Sequence, residues 1–156
     1  MHPHEKLIYD FYKAFQQRQY PVMQQAYHPE AEFQDPVFQR LSAQEARAMW
    51  QMLLTSAKDL TITFTAVHAD DHRGSCQWEA WYTFSRTGRK VHNIVRSQFL
   101  FRDGKIVQHH DTFDLWRWSR QALGFTGILL GWSPVVKNKI RGMAREGLRK
   151  FMQAAR

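Results

Sequence analysis

The sequence contains almost no cysteine and no long apolar run. Cys76 is the only cysteine among 156 residues, so a disulfide within the chain is excluded and a reducing compartment is expected. The longest apolar stretch, residues 127–132, is too short to cross a bilayer. The first residues also lack the apolar core of a signal peptide. We therefore expect a cytoplasmic protein.

Phosphate-binding glycine loops and nucleophile elbows are missing as well. His109, His110 and Asp111 resemble metal ligands, but adjacent strand residues point to opposite faces, so only two of them can share a site. No third ligand is evident in the sequence. We predict neither a cofactor nor a metal.

Acidic residues are scarce in the last quarter of the chain. Residues 1–115 contain 13 Lys and Arg and 13 Asp and Glu, whereas residues 116–156 contain nine basic residues and one acid, Glu146. The whole net charge of +8 therefore comes from the C-terminal quarter. This asymmetry predicts a neutral domain over residues 1–115 followed by a basic helical extension over 116–156.

The neutral part has helical periodicity first and strand alternation later. Apolar spacing predicts helices over residues 4–18 and about 21–27, and a third that begins at Ser42, where Glu45 follows at capping-box spacing. Residues 31–35 alternate up to Pro36 and predict a short edge strand. Four further strands are predicted over residues 60–67, 75–84, 91–102 and 105–113. Three helices before a meander indicate an α+β domain with its helices on one face of an antiparallel sheet.

The turn at Asp103-Gly104 decides which side chains share the inner face of the last hairpin. A three-residue loop, with Gly104 in the left-handed conformation, puts Ser97 on the same face as Asp111. A two-residue loop would instead pair Arg96 with Asp111 and flip one strand. Both faces carry apolar and polar groups, so composition leaves both registers open.

Two segments resemble the nuclear transport factor 2-like superfamily, which includes ketosteroid isomerases, limonene epoxide hydrolases and SnoaL-like polyketide cyclases. Residues 31–37, Ala-Glu-Phe-Gln-Asp-Pro-Val, are similar to the isomerase segment whose Asp-Pro carries the proton-shuttling base, which implies that role for Asp35. The hydrolases have a water-binding Asn at that place. Residues 109–114, His-His-Asp-Thr-Phe-Asp, fall on the hydrolase motif Trp-x-Asp-x-Phe-Asp, whose first Asp is the catalytic base; the matching residue is Asp111.

The resemblance covers residues 4–115 and implies a cone-shaped α+β domain. In such a domain three N-terminal helices close over a curved antiparallel sheet and leave one small-molecule pocket. The resemblance favours the three-residue loop, which turns His109, Asp111 and Phe113 into the cone. It also implies a homodimer, for which Trp81 on the outer face is a candidate contact.

The chain departs from both enzyme families at residues that their chemistry needs. The hydrolases place an Arg and a second Asp on the preceding long strand, where this chain has Trp78 and Ala80. The isomerases hold an oxyanion with a Tyr and a protonated Asp. Here the Tyr is Tyr12, or Phe11 under a one-residue shift, and the Asp becomes Ser97. The resemblance therefore implies the fold and leaves the reaction open.

The predicted catalytic residues are Asp111, Asp35 and His109. Two carboxyl groups that face one apolar cavity raise the pKa of one of them, which permits proton transfer near neutral pH, and His109 can assist. The alternative is that the acids are bound to backbone amides and the histidine only fills the cone. The predicted ligand-binding residues are Tyr12, Phe33, Trp50, Trp78, Tyr82, Asn93, Val95, Ser97 and Phe113.

The extension predicts two helices. Residues 116–124 indicate a short helix capped by Asp114 and ended by Gly124. After Pro134 an apolar stripe is surrounded by basic residues; the stripe consists of Val136, Ile140, Met143, Gly147 and Phe151. This second helix can be a lid or dimer arm, or it can dock on an anionic membrane surface. Nucleic acid is a weaker candidate because no base-reading motif accompanies the charges.

Two functions remain open from the sequence. The first is an enzyme that transfers a proton on a small hydrophobic substrate, by isomerisation, cyclisation or hydrolysis. The second is a non-catalytic domain that binds a hydrophobic ligand or a partner. The retained acids favour the first function, and the missing Arg and Asp pair favours the second.

Overall fold

The predicted α+β class is confirmed by a computed structural model, which describes residues 1–125, 127 and 133–155. The elements follow in the order α1 (Pro3–Gln16), α2 (Tyr20–Gln25), β1 (Tyr27–Asp35), β2 (Gln39–Ser42), α3 (Ala43–Ser56), β3 (Thr61–Ala69), β4 (Arg73–Phe84), β5 (Arg89–Arg102), β6 (Lys105–Thr112), α4 (Leu115–Leu123) and α5 (Pro134–Ala154). The helices pack on a curved, unclosed six-stranded sheet. None of the helices described is long and apolar enough to span a bilayer.

Capping boxes start the two long N-terminal helices. Ser42 accepts a hydrogen bond from the backbone of Glu45, whose side chain accepts one from the backbone of Ser42, as predicted for α3. His2 and Glu5 form the same reciprocal pair at the start of α1. Each box pairs backbone N–H groups that the first helical turn leaves without partners. The helix limits are therefore set by local side chains.

The strand that contains Asp35 is not an edge strand, so that prediction is wrong. β1 is longer than predicted and lies between β2 and β6, in the order β2-β1-β6-β5-β4-β3. It is parallel to β6, with Phe33 opposite His109, so the sheet is mixed and not purely antiparallel. The chain turns after Pro36 and returns as β2, which occupies the edge. β2 has only four residues, which is too short for alternation to reveal it in the sequence.

The β5–β6 hairpin reaches the predicted register by a different turn. Asp103 and Gly104 both have positive φ, 54° and 73°, and Arg102 pairs with Lys105, so the loop has two residues. A β-bulge then adds Val107 to β6, which shifts the pairing by one residue.

Beyond this bulge Phe99 lies opposite His109, and Ser97 lies opposite Asp111. The predicted sharing of faces is confirmed, and the predicted three-residue loop is wrong. The bulge supplies the one-residue offset that the longer loop was expected to supply.

The C-terminal helices pack on the rest of the fold. As predicted, Asp114 caps α4 through a bond from the backbone of Arg117, and Gly124, with φ of 67°, ends it. On α5 the buried residues are Ile140 and Leu148. Ile140 belongs to the predicted stripe, whereas Leu148, which joins the main apolar core, does not. The boundary between residues 115 and 116 stays a prediction.

Trp81 lies on the outer face of the sheet, where its side chain is partly exposed. It is 38% exposed and stacks on His92, with ring centroids 4.6 Å apart. Glu79 accepts a hydrogen bond from the same histidine ring. The predicted homodimer contact through Trp81 stays a prediction.

Candidate active site

His109 and Asp111 point into the interior from β6. His109 is 1% exposed and Asp111 is 3% exposed, whereas His110 between them is exposed on the opposite face. The β5–β6 register brings Ser97 to the same interior position. The structure thus gives these side chains the orientation on which the candidate site depends. Their catalytic roles stay predictions.

A buried hydrogen-bond network has two branches, and both end on the Asp111 carboxylate. Its Oδ1 accepts from the Ser97 hydroxyl at 2.5 Å and from His109 Nε2 at 2.7 Å. Ser97 Oγ in turn accepts from the Tyr12 hydroxyl and from the indole N–H of Trp78, both at 2.8 Å. A serine hydroxyl has a single hydrogen, and here that hydrogen goes to the carboxylate.

The second branch orients the histidine ring. The indole N–H of Trp50 donates to the Tyr27 hydroxyl oxygen at 2.8 Å, and this oxygen lies 2.7 Å from His109 Nδ1. The Tyr27 hydrogen has no other acceptor among the described residues, so it goes to Nδ1. His109 then carries its own hydrogen on Nε2 and donates it to Asp111. Both branches therefore supply donors to one carboxylate oxygen.

The second carboxylate oxygen of Asp111 is left available. Within the residues that the structure describes, Oδ2 accepts no hydrogen bond. The Asp111 side chain keeps 4% exposure, whereas the His109 side chain keeps none. A carboxylate with one oxygen engaged and the other open is suited to take up a proton on the open oxygen.

Asp35 is a second acid of the candidate site, partly buried at the end of β1. Its Oδ1 accepts from the backbone N–H groups of Val37 at 2.9 Å and Phe38 at 2.6 Å. Burial raises the pKa of the Asp35 carboxyl from 3.8 to about 7; the bond from Phe38 opposes the rise, and the charge of Asp111 adds to it. Asp35 is thus bound to backbone amides, as the alternative interpretation held, and is also poised to exchange a proton near neutral pH.

The structure settles two positions that the sequence left open or marked as departures. Tyr12, and not Phe11, bonds to Ser97. Trp78 and Ala80 both face the interior, 7% and 3% exposed. Where the epoxide hydrolases have a charged pair, this chain therefore has an indole and a methyl group.

Most predicted ligand-binding residues are packed into the core. Those that are buried are Tyr12, Phe33, Trp50, Trp78, Asn93, Val95 and Ser97. Tyr82 and Phe113 are partly buried and contact both the main core and the smaller apolar cluster around Trp118 and Ile140. They therefore lie between the main core and the C-terminal helices.

Aromatic rings surround the imidazole of His109. The rings with centroids 4.5 to 6.2 Å from it are those of Phe99, Phe33, Phe11, Tyr27 and Trp50. The two largest of these, Tyr27 and Trp50, stack nearly parallel to it, at 24° and 17°. This apolar surrounding strengthens electrostatic interactions at Asp111 because little water is present to screen them.

Two depressions of the surface lie outside this network. One, of about 660 Å³, is on the outer face of the sheet between His68, Arg73 and His110. The other, of about 360 Å³, lies between Ile94, Phe113 and Arg117. Neither is lined by Asp111 or His109, so the pocket inside the cone stays a prediction. In the described part of the chain, no three His, Cys, Asp or Glu residues are grouped to bind a metal.

Sequence reasoning missed Tyr27, which orients the histidine. The second helix was predicted to reach about Tyr27, but it ends at Gln25 and Tyr27 begins β1. Tyr27, Ala31 and Phe33 are all buried at odd positions of this strand. Their alternation was a usable signal that Tyr27 shares the inner face.

Comparisons with known proteins agree with this architecture. A family model described as SnoaL-like domain matches residues 8–109. IdmH from Streptomyces antibioticus, a candidate polyketide cyclase, is 20% identical with a TM-score of 0.64, over 78% of this chain and 98% of that chain. An LEH-like epoxide hydrolase from M. tuberculosis is 16% identical with a TM-score of 0.63, over 86% and 95%.

TerC, crystallised with polyporic acid, is 19% identical with a TM-score of 0.59, over 72% of this chain and 92% of that chain. Identities at this level show a shared fold and do not assign a reaction. No curated protein sequence is significantly similar to the chain.

Proposed function

Because the chain belongs to the SnoaL-like domain family, we propose that it binds a small hydrophobic molecule within the cone and catalyses proton transfer on it, with Asp111 as general base. The observation that carries the proposal is the state of the Asp111 carboxylate. Ser97 and His109 hold Oδ1, while Oδ2 has no partner among the described residues. A positioned base of this kind contributes about 10²–10⁴-fold to a rate.

His109 acts in this scheme as a positioning residue. Tyr27 donates to its Nδ1, so the hydrogen on Nε2 stays directed at Asp111 Oδ1. A proton removed from the substrate then arrives at Oδ2. The stacked rings of Tyr27 and Trp50 prevent the imidazole from rotating away from Asp111.

Asp35 is the proposed proton donor. Its pKa of about 7 leaves it partly protonated at neutral pH, so it can supply a proton after Asp111 has removed one. Two such carboxyl groups are suited to isomerisation or cyclisation, in which a proton leaves carbon and another is returned to the product. Epoxide opening fits less well because Trp78 and Ala80 cannot stabilise a developing alkoxide as a charged pair would.

A second candidate function is ligand binding without turnover. The observation that favours it is the missing charged pair on β4, where Trp78 and Ala80 face the interior, 7% and 3% exposed. In that case the network around Asp111 would serve to satisfy buried polar groups. The two candidates predict different results with the same protein and the same probes.

The test uses one binding probe and two turnover probes. Polyporic acid, with which TerC was crystallised, serves as the binding probe through quenching of tryptophan fluorescence. A β,γ-unsaturated steroid ketone tests isomerisation, and styrene oxide tests hydrolysis. We expect the ketone to be converted and Asp111→Asn to lower kcat/KM by about 10²–10⁴-fold, because the amide keeps the shape and cannot act as the base.

The matched control is Asp71→Asn, whose side chain is 85% exposed. It should leave turnover of the ketone unchanged. Binding of polyporic acid with no turnover of either probe would support the second candidate and contradict the first. Turnover of styrene oxide and not of the ketone would show that the reaction is hydrolysis and not isomerisation.

A further inference from the structure

The β4–β5 turn, the end of α4 and the start of α5 form one end of the molecule. Thr87 Oγ1 donates to the Ala122 carbonyl at 2.6 Å, and Arg89 Nε donates to the Gln121 carbonyl at 2.8 Å. Arg86 in the same turn contacts the sulfur of Met143 on α5 at 3.3 Å. We call this surface the basic end and define it as residues 85–90, 120–125 and 133–141.

The basic end carries an excess of positive charge, and Asp59, which accepts from Thr83 beside the turn, is an acid that interacts with its Lys90. The Lys and Arg residues of the basic end are Arg86, Arg89, Lys90, Arg120, Lys137, Lys139 and Arg141. The three ranges contain no Asp or Glu. At the other end of the sheet, by contrast, the turns contain Asp70, Asp71 and Asp103. The fold therefore concentrates the cations of two separate sequence regions on one end.

Two apolar side chains are exposed among these cations. Phe125 is 75% exposed and Val135 is 76% exposed. Their near neighbours Leu123 and Val136 pack into the same small apolar cluster, which keeps both exposed side chains at this end. Large exposed apolar groups beside cations are typical of surfaces that bind a membrane or a partner.

The apolar stripe of α5 is not available for insertion into a bilayer. Within the stripe Ile140 is 4% exposed and the other residues are partly buried; Leu148, outside the stripe, is 2% exposed and also packs against the domain. Arg145 on this helix also donates to the carbonyls of Phe38 and Arg40, at 2.8 and 2.9 Å. A membrane contact must therefore use the folded domain and not a released helix.

We propose that the basic end docks on an anionic lipid bilayer, with its cations at the headgroups and Phe125 and Val135 at the interface. A bilayer surface accounts for both features, because headgroups attract the cations and the interfacial region accepts apolar side chains. A nucleic acid would use the cations, but it would gain nothing from an exposed valine. The proposal is independent of any catalysis at Asp111.

Sedimentation with vesicles tests the charged part of the proposal. The vesicles contain about 30% phosphatidylglycerol in phosphatidylcholine, a typical anionic surface. The test variant is the double change Lys90→Glu and Lys139→Glu, at two exposed positions of the basic end. We expect the double variant to bind at least about tenfold more weakly, and wild-type binding to fall as salt is raised.

The matched control is the double change Arg73→Glu and Arg96→Glu, which alters the net charge equally on exposed residues outside the basic end. It should change vesicle binding less than about twofold, because the altered charges lie away from the docked surface. Equal losses in both double variants would show a nonspecific charge effect and overturn the proposal. Thermal melting of each variant by circular dichroism checks that it is folded.

The apolar part has its own variant. Phe125→Ser should weaken vesicle binding several-fold, whereas Val22→Ser, at a site 42% exposed on α2, should not. Equal binding to vesicles of phosphatidylcholine alone would contradict the electrostatic argument. Retention of a DNA duplex without vesicle binding would identify the basic end as a nucleic-acid surface instead. Sedimentation involves no turnover, so its outcome is separate from that of the activity test.

Discussion

The interior network and the C-terminal extension hold their polar groups in opposite ways. Inside, side chains that are distant in sequence bond directly to one another, as Tyr12 does to Ser97 and Tyr27 to His109. In the extension, Arg141 and Arg145 bond to backbone carbonyls of the turn after β1 and of β2, at partly buried and exposed positions. The interior polar groups bond to one another in place of water. The carbonyls that accept from Arg145 are exposed and can bond to water as well.

This difference decides what a substitution costs. Leaving a buried donor without its acceptor lowers the unfolding free energy by about 1–3 kcal/mol. An exposed ion pair contributes only about 0–1 kcal/mol to the same quantity. Substitution of any residue in the buried network is therefore expected to lower stability. The extension depends mainly on its few buried apolar side chains, so an exposed cation such as Lys139 can serve a second role.

The largest effect is expected at the centre of the network. Asp111→Ala removes the acceptor of both Ser97 and His109 and leaves two buried donors without partners, so unfolding free energy should fall by about 4 kcal/mol. Chemical denaturation measures this loss. Asp111→Asn keeps an oxygen at the same place and should lose clearly less. A loss below about 1 kcal/mol in the alanine variant would show that the network is not closed in solution.

The next effect tests whether the extension is part of the core. Leu148→Ala should lower the unfolding free energy by about 3 kcal/mol, because this side chain is 2% exposed and packs in the main core. Val135→Ala, at a position 76% exposed, is the control and should change it by less than about 0.5 kcal/mol. Similar small losses in both variants would mean that α5 does not pack stably on the domain.

The smallest effect concerns pH. The pKa of Asp35 is higher in the folded state, about 7, than its usual value of 3.8. Its contribution to stability is therefore fully present below pH 4 and is lost as pH rises to about 7. The shift corresponds to at most about 4 kcal/mol, and partial exposure reduces the expected loss to about 2 kcal/mol.

Asp35→Asn should remove this pH dependence, since the amide oxygen can still accept from Val37 and Phe38. Denaturation of the variant between pH 4 and pH 8 measures the difference. The variant should be the more stable protein at pH 8. If both proteins show the same pH dependence over that range, Asp35 titrates like an exposed acid and is not the proton donor.

Part of the candidate site was predictable from short-range patterns and part was not. Asp111, His109 and Ser97 were placed on one face because the family resemblance chose between two registers that composition left open. The reason assigned to that register was wrong, because a bulge at Val107 replaces the longer loop. Tyr27 was missed because its role depends on a partner 82 residues away.

By itself, the sequence determined the α+β class, the capping of α3 by Ser42 and Glu45, and the end of α4 at Gly124, because these depend on contacts between near neighbours. Only the tertiary structure decided that β1 lies inside the sheet and that every donor of the network converges on Asp111. It also decided that cations from the β4–β5 turn and from α5 meet at one end. These arrangements join residues that are far apart along the chain, so no local pattern contains them.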